Sequence, residues 1–420
     1  MIVYNDIKRQ FVNDVKDNSI ADKILEAIKM RGLNAGHEKE YYSWQNSMQF
    51  MRNIVDDSDI DDEVRICIEY NIPLTSKRVD FIIAGADNYG KDNIVIVELK
   101  QWQKAEVVAD DMHYCVRTYV ANADRIVCHP SYQAYSYSCF LRNYSQSLTD
   151  EGISLIPCAY LHNYQPEYRQ TLSNPIYKEW TGLAPFFIKN EVGAFSDFVK
   201  KYITKKSSKG DLLYLIDHGR LRPTKALQDS LASMVKGNKE FMLLDEQAVC
   251  FDMCLKTMSQ CLKDKKKRTI IIQGGPGTGK SVLAVNLLME YINQSLNASY
   301  VTKNSAPREA FLRLLTKSDA KKIVNIKQLF RSPFNLSKCD INGYDCLIVD
   351  EAHRLVKKMY GDWNGENQVK ECINASLLSF FLLDEDQAVT TKDIRSIDEI
   401  RHWCEILGSR LVIKDETKLI

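Results

Sequence analysis

Two hydrophobic patterns follow one another in the first part of the chain. Residues 19–55 carry apolar side chains at the spacing of an amphipathic helix. From Val64 onward the period changes to that of strands, in β-branched runs separated by turn residues: 65–70, 77–84 and 94–99. This order predicts helices followed by a β-meander, with one more buried strand at 153–160.

The later part of the chain alternates short apolar runs with helical patterns. Four of these runs are predicted to be strands: 269–272, 298–302, 344–349 and 376–384. Between residues 155 and 238 the pattern is weak and includes the polar, lysine-bearing run 205–210. We therefore predict an α/β protein with a first domain at 1–203, a connector at 204–238 and a second domain at 239–420.

The composition is that of an ordinary globular protein. Hydrophobic residues make up 45% and charged residues 26% of 420 residues, enough for two or three domains with their own cores. The net charge of +1 means that any nucleic-acid surface must be local. The charged N-terminus lacks the apolar core of a signal peptide, and no run approaches the ~18 apolar residues of a membrane span. We expect a soluble, cytoplasmic protein without a membrane partner, whose 12 cysteines are reduced.

The most specific motif is IIIQGGPGTGKS at 270–281, a strand that runs into a glycine-rich turn and then a helix. Its glycines allow backbone N–H groups to surround a phosphate, and the following helix directs its positive end at the anion. Lys280 is expected to reach the β- and γ-phosphates, and Ser281 to ligate Mg²⁺. The predicted ATP-binding residues of this loop are Gly274, Gly275, Pro276, Gly277, Thr278, Gly279, Lys280 and Ser281.

A second phosphate-chemistry motif follows about 70 residues later. The run YDCLIVDEAH at 344–353 is a buried strand that ends in two adjacent acids. Asp350 is predicted to hold Mg²⁺, directly or through water, and Glu351 to orient and deprotonate the attacking water. Together the two motifs predict an ATPase.

The predicted meander carries a separate set of charges. Glu98 and Lys100 are two apart on one strand and so share a face, which Asp80 on the neighbouring strand can share as well. Two carboxylates at the end of apolar strands are costly unless they hold a divalent cation. Asp80 and Glu98 are therefore predicted to bind Mg²⁺ for phosphodiester hydrolysis, with Lys100 positioning or activating the water. A solvated strand edge or a structural salt bridge is the alternative.

Further along, Gln133 and Tyr137 lie four apart on one face of a predicted helix. The order Asp, Glu-x-Lys, Gln-x-x-x-Tyr resembles the RecB-like branch of the PD-(D/E)xK nuclease superfamily. The resemblance implies a restriction-endonuclease-like α/β domain in which Gln133 and Tyr137 lie next to substrate. It also implies an upstream helical acid, for which we expect Glu40, with Glu38 as the substitute; both are expected just before the second helix. Many members of this superfamily have degenerate sites and do not cleave.

The second domain resembles a superfamily-one helicase core. Gln247 matches an adenine-reading glutamine, Thr302 and Lys303 match a nucleic-acid-contacting motif, and Asp384 with Gln387 matches D-x-x-Q, whose glutamine senses the γ-phosphate. The phrases QGGPGTGKS and VDEAHR resemble the Schlafen group-three-like DNA/RNA helicase domain. This resemblance implies a RecA-like P-loop domain with a parallel sheet, ATP and Mg²⁺ as cofactors, and DNA or RNA as partner.

Helicases of this kind use two RecA-like domains, and the sequence is expected to contain the first. We expect a second RecA-like domain or subunit to supply an arginine finger, and slow ATP hydrolysis without it. The resulting hypothesis is a Mg²⁺-dependent endo- or exonuclease joined to a helicase-type ATPase. Two alternatives remain: an ATP-dependent translocase or switch whose nuclease-like domain does not cleave, and a signalling P-loop ATPase that does not use nucleic acid.

Overall fold

The computed structural model describes residues 2–31, 38–72, 75, 77–108, 112–219, 242–275, 277–303, 329–357, 365–384 and 397–415. The chain divides into two compact units, Met1–Pro223 and Thr224–Ile420. Each unit has its own six-stranded sheet. Within the described part of the chain, every helix is too short or too polar to cross a membrane.

The central sheet of the first unit contains the predicted meander. Its strands, in spatial order, are β1 (Ile2–Ile7), β2 (Arg65–Asn71), β3 (Arg78–Ala86), β4 (Asp92–Lys100), β8 (Ser154–Leu161) and β9 (Phe186–Ile188). The strands from β1 to β4 pair antiparallel, whereas β8 is parallel to both β4 and β9. A smaller antiparallel sheet consists of β5 (Glu106–Val107), β6 (Cys115–Val120) and β7 (Ala123–Cys128).

Helices surround the central sheet of the first unit. They are α1 (Lys8–Lys16), α2 (Ile20–Met30), α3 (Glu38–Val55), α4 (Pro130–Tyr144), α5 (Gln146–Asp150), α6 (Arg169–Leu172), α7 (Lys178–Leu183), α8 (Val192–Tyr202) and α9 (Leu212–His218). The apolar stripes of α1, α2, α3 and α8 form one buried cluster with alternate residues of β3 and β4. The helix α4 packs against β4 and β8 and contributes nothing to that cluster.

Two details differ from the sequence-based expectation. Glu38 and Glu40 were expected just before the second helix, but α3 begins at Glu38, so both acids belong to its first turn. The first unit is also longer than the predicted domain 1–203. The backbone of Lys205 forms an antiparallel β-bridge with Ala86, and α9 buries Leu212, Leu213 and Ile216. Residues 204–219 therefore pack onto the first unit. A helix of seven residues is too short to show a clear periodicity.

The second unit is built on a parallel sheet. Its spatial order is β12 (Phe330–Arg331), β11 (Ala298–Val301), β13 (Tyr344–Val349), β14 (Ser376–Leu383), β10 (Arg268–Gln273) and β15 (Arg410–Asp415), with every pair parallel. All eight residues of β14 are buried, as expected for a strand covered on both faces. The helices of this unit are α10 (Glu246–Asp264), α11 (Lys280–Asn293), α12 (Gln368–Ala375) and α13 (Ile397–Ile406).

The register of this sheet brings the chemistry-bearing loops to one edge. Ile271 of β10 and Val349 of β13 both pair with Phe381 of β14, which lies between the two strands. In a parallel sheet the segments that follow neighbouring strands emerge at the same edge. The glycine-rich loop after β10, Asp350 after β13 and Asp384 after β14 therefore emerge together.

Candidate functional site

The glycine-rich loop requires glycine at two positions. Gly277 and Gly279 have φ angles of 77° and 83°, in the left-handed region that other residues adopt at a cost. A Cβ atom on Gly279 would also lie 2.3 Å from Nε2 of Gln247. The loop ends at the first residue of α11, Lys280, so the positive end of a 14-residue helix lies at the loop.

Lys280 points its ammonium group into the loop. Its Nζ donates to the carbonyl oxygens of Gly274 at 2.6 Å and Gly275 at 2.7 Å. The same Nζ lies 3.7 Å from Oδ2 of Asp384, which is 3% exposed at the end of β14. Thr278 closes the turn by donating from Oγ1 to the Gly275 carbonyl at 3.0 Å. The loop thus holds the ammonium group of Lys280 against its own backbone carbonyls.

Asp350 joins this loop from the end of β13. The hydroxyl of Ser281 donates to Oδ2 of Asp350 at 2.8 Å, and the hydroxyl of Tyr300 donates to the same oxygen. The backbone N–H of Glu351 donates to Oδ1 at 2.9 Å. Burial and the nearby Asp350 raise the pKa of Tyr300 well above its usual value. Tyr300 was not among the predicted site residues, because an aromatic residue in a buried strand looks like core.

Glu351 has a strained backbone. Its φ angle of 50° lies in the left-handed region, where a residue with a Cβ is costly and where functional sites are concentrated. Its carboxylate oxygen Oε2 lies 3.4 Å from Nε of Arg354. His353 is buried beside it, and burial lowers the pKa of His353, while the charge of Glu351 opposes that shift. The turn after β13 thus concentrates charged side chains around the predicted base.

Gln247 contacts the phosphate loop. Its Nε2 donates to the Thr278 carbonyl at 2.7 Å, and its Oε1 accepts from the Leu244 N–H at 3.0 Å. Gln247 therefore joins the start of α10 to the phosphate loop. Pro276 and Gln387, also predicted to bind the nucleotide, lie outside the described residues.

The two residues predicted to touch nucleic acid follow β11. Thr302 is buried, and Lys303 donates from Nζ to the Arg354 carbonyl at 2.9 Å. The side chain of Arg354 also lies beside Glu351. Arg354 therefore contacts Lys303 through its carbonyl and the predicted base through its guanidinium group.

In the first unit, the acidic residues of the meander come together. Phe81 of β3 pairs with Val97 of β4. Because the two strands are antiparallel, Asp80, which precedes Phe81, lies opposite Glu98, which follows Val97. Oδ2 of Asp80 accepts from the Leu99 N–H at 2.8 Å, and Nζ of Lys100 lies 2.6 Å from Oε1 of Glu98. The predicted acids and lysine therefore form one cluster.

Two acids at this cluster have raised pKa values. Burial raises the pKa of Asp80, while Lys100, the Leu99 N–H, Arg78 and a hydrogen bond with Glu98 oppose that shift. The structure adds Glu69 of β2, an acid that the sequence pattern did not single out. Burial and the charge of Asp80 raise the pKa of Glu69 to about 7.

The backbone of β2 is irregular at Glu69, and no sequence pattern indicates this. Its φ angle is 56°, and it is missing from the pairing of β2 with both β1 and β3. Its Oε1 accepts from Nε1 of Trp44 at 2.7 Å, and its Oε2 lies 3.1 Å from Nη1 of Arg78. Glu40, the predicted upstream acid, pairs with the same Arg78 at 3.2 Å. Arg78 thus joins Glu40 of α3 to Glu69; the side chain of Glu38 is outside the described set.

The helix α4 carries the remaining two predicted residues. Nε2 of Gln133 donates to the hydroxyl of Tyr137 at 3.0 Å, so the pair four residues apart does share a face. Tyr137 is buried and Gln133 half-buried on a helix that packs against β4, the strand of Glu98 and Lys100.

The phosphate loop with Asp350, in the second unit, and the acidic cluster of the first unit both have oxygen ligands suited to Mg²⁺. The described residues include no group of three or more histidine, cysteine or acidic side chains that could together hold a metal ion. Mg²⁺, however, usually takes one or two protein oxygens and keeps several waters. Ser281 with Asp350 supplies such a set, and so does Asp80 with Glu98.

Comparison with known families concerns the second unit. Residues 267–415 match the family model described as Schlafen group 3, DNA/RNA helicase domain. The matched segment runs from one residue before β10 to the last residue of β15. This segment is therefore helicase-like, which suggests a nucleic-acid-related ATPase. None of the curated proteins matches the chain.

Proposed function

We propose that the protein binds ATP with Mg²⁺ in the second unit and acts on nucleic acid as a helicase-type ATPase, coupled to a Mg²⁺-dependent nuclease in the first unit. The observation that carries the ATPase is the hydrogen bond of 2.8 Å from Ser281 to Asp350. It joins two residues that lie 69 positions apart in the chain. A nucleotide site needs both of them side by side to hold Mg²⁺ at the phosphates. The helicase-like match over residues 267–415 supports nucleic acid as the partner.

Each predicted residue of the second unit is proposed to have one role. Lys280, which donates to two loop carbonyls, would bind the β- and γ-phosphates. Ser281 and Asp350 would hold Mg²⁺, which when bound neutralises phosphate charge. Glu351 would orient a water and accept its proton. Gln247, fixed beside the loop, would contact the adenine, and Thr302 and Lys303 would contact nucleic acid.

The nuclease is proposed on the cluster in β3 and β4. Asp80 and Glu98 would hold Mg²⁺, which when bound polarises a phosphodiester. Lys100, within 2.6 Å of Glu98, would position the attacking water. The register that sets Asp80 opposite Glu98 supports this assignment, because two adjacent carboxylates are stabilised by a cation. Gln133 and Tyr137 on α4 would lie beside the substrate, and the helix–meander–helix order supports a PD-(D/E)xK-like unit.

The ATPase is tested by measuring nucleotide binding and phosphate release by the purified chain, with and without single-stranded DNA or RNA. Lys280→Ala should lose binding, whereas Lys263→Ala, which changes an exposed lysine of α10, should not. Hydrolysis stimulated by nucleic acid supports the proposal. Hydrolysis that nucleic acid does not change, together with no nucleic-acid binding, would favour a signalling ATPase.

The nuclease is tested separately by cleavage of labelled DNA and RNA in Mg²⁺. Glu98→Gln and Lys100→Met should abolish cleavage, whereas Glu106→Gln and Lys104→Met change exposed residues outside the cluster and should retain it. Running each variant with and without ATP measures the coupling. Absent cleavage with intact nucleic-acid binding would leave a translocase or switch whose first unit does not cut.

A further inference from the structure

Tyr300 reaches the predicted magnesium ligand Asp350 from a neighbouring strand. Tyr300 lies in β11 and pairs with Ile348 of β13, two residues before Asp350. Its side chain is 2% exposed, and its ring centroid lies 5.7 Å from that of Phe330 in β12. From this packed position the hydroxyl donates to Oδ2 of Asp350.

The carboxylate of Asp350 is held by three donors. Ser281 and Tyr300 donate to Oδ2, and the Glu351 N–H donates to Oδ1. Ser281 belongs to the phosphate loop and Glu351 to the acidic motif, so both are expected at a nucleotide site. Tyr300 comes from β11, which supplies neither motif.

We propose that Tyr300 is a positioning residue that holds the Asp350 carboxylate toward Ser281, and so sets the Mg²⁺ concentration at which the nucleotide binds tightly. This inference rests on the proposed nucleotide-binding function. A hydrogen bond to an ionised carboxylate is stronger than one between neutral groups. A packed tyrosine ring also has few rotatable bonds, so its hydroxyl fixes the orientation of the carboxylate at little entropic cost.

The test compares two buried tyrosines whose hydroxyls each donate a hydrogen bond. Tyr300→Phe removes the donor to Asp350 and keeps the buried ring. Tyr291→Phe is the matched control, because Tyr291 is also buried and its hydroxyl donates to the Cys254 carbonyl at 3.2 Å. Binding of a fluorescent ATP analogue to the full chain is measured over a Mg²⁺ titration and again in EDTA.

We expect Tyr300→Phe to raise the half-saturating Mg²⁺ concentration about tenfold, the effect of one lost charge-assisted hydrogen bond. Binding in EDTA and the Tyr291→Phe control should stay at the wild-type value. In an Asp350→Asn background, Tyr300→Phe should add little further loss, because the two residues act on one interaction.

Several outcomes would overturn the inference. They are an unchanged or lower Mg²⁺ requirement in Tyr300→Phe, an equal loss of binding in EDTA, and a variant that no longer folds. The last two would mean that the hydroxyl serves the fold. A wild-type chain that binds no nucleotide at any Mg²⁺ concentration would instead remove the proposed function itself, and so is distinguishable from these.

Discussion

Arg78 pairs with Glu69 across the first two strands of the meander, with 3.1 Å between Nη1 and Oε2. The Glu69 side chain is 11% exposed and Arg78 34%, so the carboxylate is the more buried partner. Trp44 donates to the other carboxylate oxygen. The pair thus compensates a buried acid, because burial, and after it the charge of Asp80, raises the pKa of Glu69.

Replacement of Arg78 by methionine should destabilise the first unit by roughly 2 kcal/mol, because it leaves Glu69 buried without its cation. The value is below that of a fully buried pair because Arg78 is partly exposed. Urea unfolding followed by tryptophan fluorescence measures the change. Adding Glu69→Gln to Arg78→Met should restore most of the loss, whereas Arg125→Met, at an exposed strand position, should have little effect. Equal stability of Arg78→Met and the wild type would contradict the role of this pair.

Glu351→Gln separates nucleotide binding from hydrolysis. The amide keeps the shape of the side chain but cannot accept a proton, so phosphate release should fall by roughly a hundredfold or more. ATP affinity should stay within about threefold of the wild-type value, since Lys280, Ser281 and Asp350 are unchanged. Glu405→Gln, an exposed acid of α13, is the control for loss of one negative charge. A full hydrolysis rate in Glu351→Gln would remove Glu351 from the role of base.

Gly279→Ala tests the geometry of the phosphate loop. The alanine would take a φ angle of 83°, at a cost of roughly 1 to 3 kcal/mol, and its Cβ would meet Nε2 of Gln247 at 2.3 Å. Both the melting temperature and the ATP affinity should fall. In Gly279→Ala with Gln247→Ala the contact is relieved while the backbone angle is kept, so the melting temperature should be restored in part, whereas the ATP affinity should stay low because Gln247 is proposed to contact the adenine. Complete restoration of the melting temperature would show that the backbone angle contributes nothing.

The strands of the second unit were predictable because parallel strands covered on both faces appear as uninterrupted apolar runs. The segment 376–384 agrees with β14 (Ser376–Leu383) to within one residue. The meeting of Ser281 with Asp350 also follows, because both motifs come after strands of one sheet. The order of those strands does not follow, since nothing in the runs indicates that β14 lies between β10 and β13.

In the first unit, alternation along two strands predicted the juxtaposition of Asp80 with Glu98. Glu69 and Arg78 could not be found in this way, because a charged residue in a strand is usually solvent-facing. The left-handed backbone at Glu69 carries no glycine or asparagine to signal it. Likewise Tyr300 matches the pattern of a core residue, and only its hydrogen bond to Asp350 distinguishes it.

Acid should destabilise the first unit through two buried histidines. His129 and His162 are fully buried, and burial lowers the pKa of each to about 4. His129 accepts from the Ser131 N–H through Nδ1, and Nε2 of His162 lies 3.1 Å from the Ser47 hydroxyl. In the unfolded chain a histidine has a pKa of about 6.5, so between pH 6.5 and pH 4 the unfolded state binds more protons than the folded state. Stability is therefore complete above pH 6.5 and decreases as the pH falls toward 4.

The slope of the unfolding free energy against pH measures this effect. Each buried histidine should contribute up to about 1.4 kcal/mol per pH unit in this window, on top of the carboxylates that also titrate. His162→Gln should lower the slope by the share of one histidine, since the amide binds no proton in either state. His113→Gln, a substitution of an exposed histidine, is the matched control. If His162→Gln and His113→Gln change the slope equally, the buried imidazole does not remain neutral in the folded state.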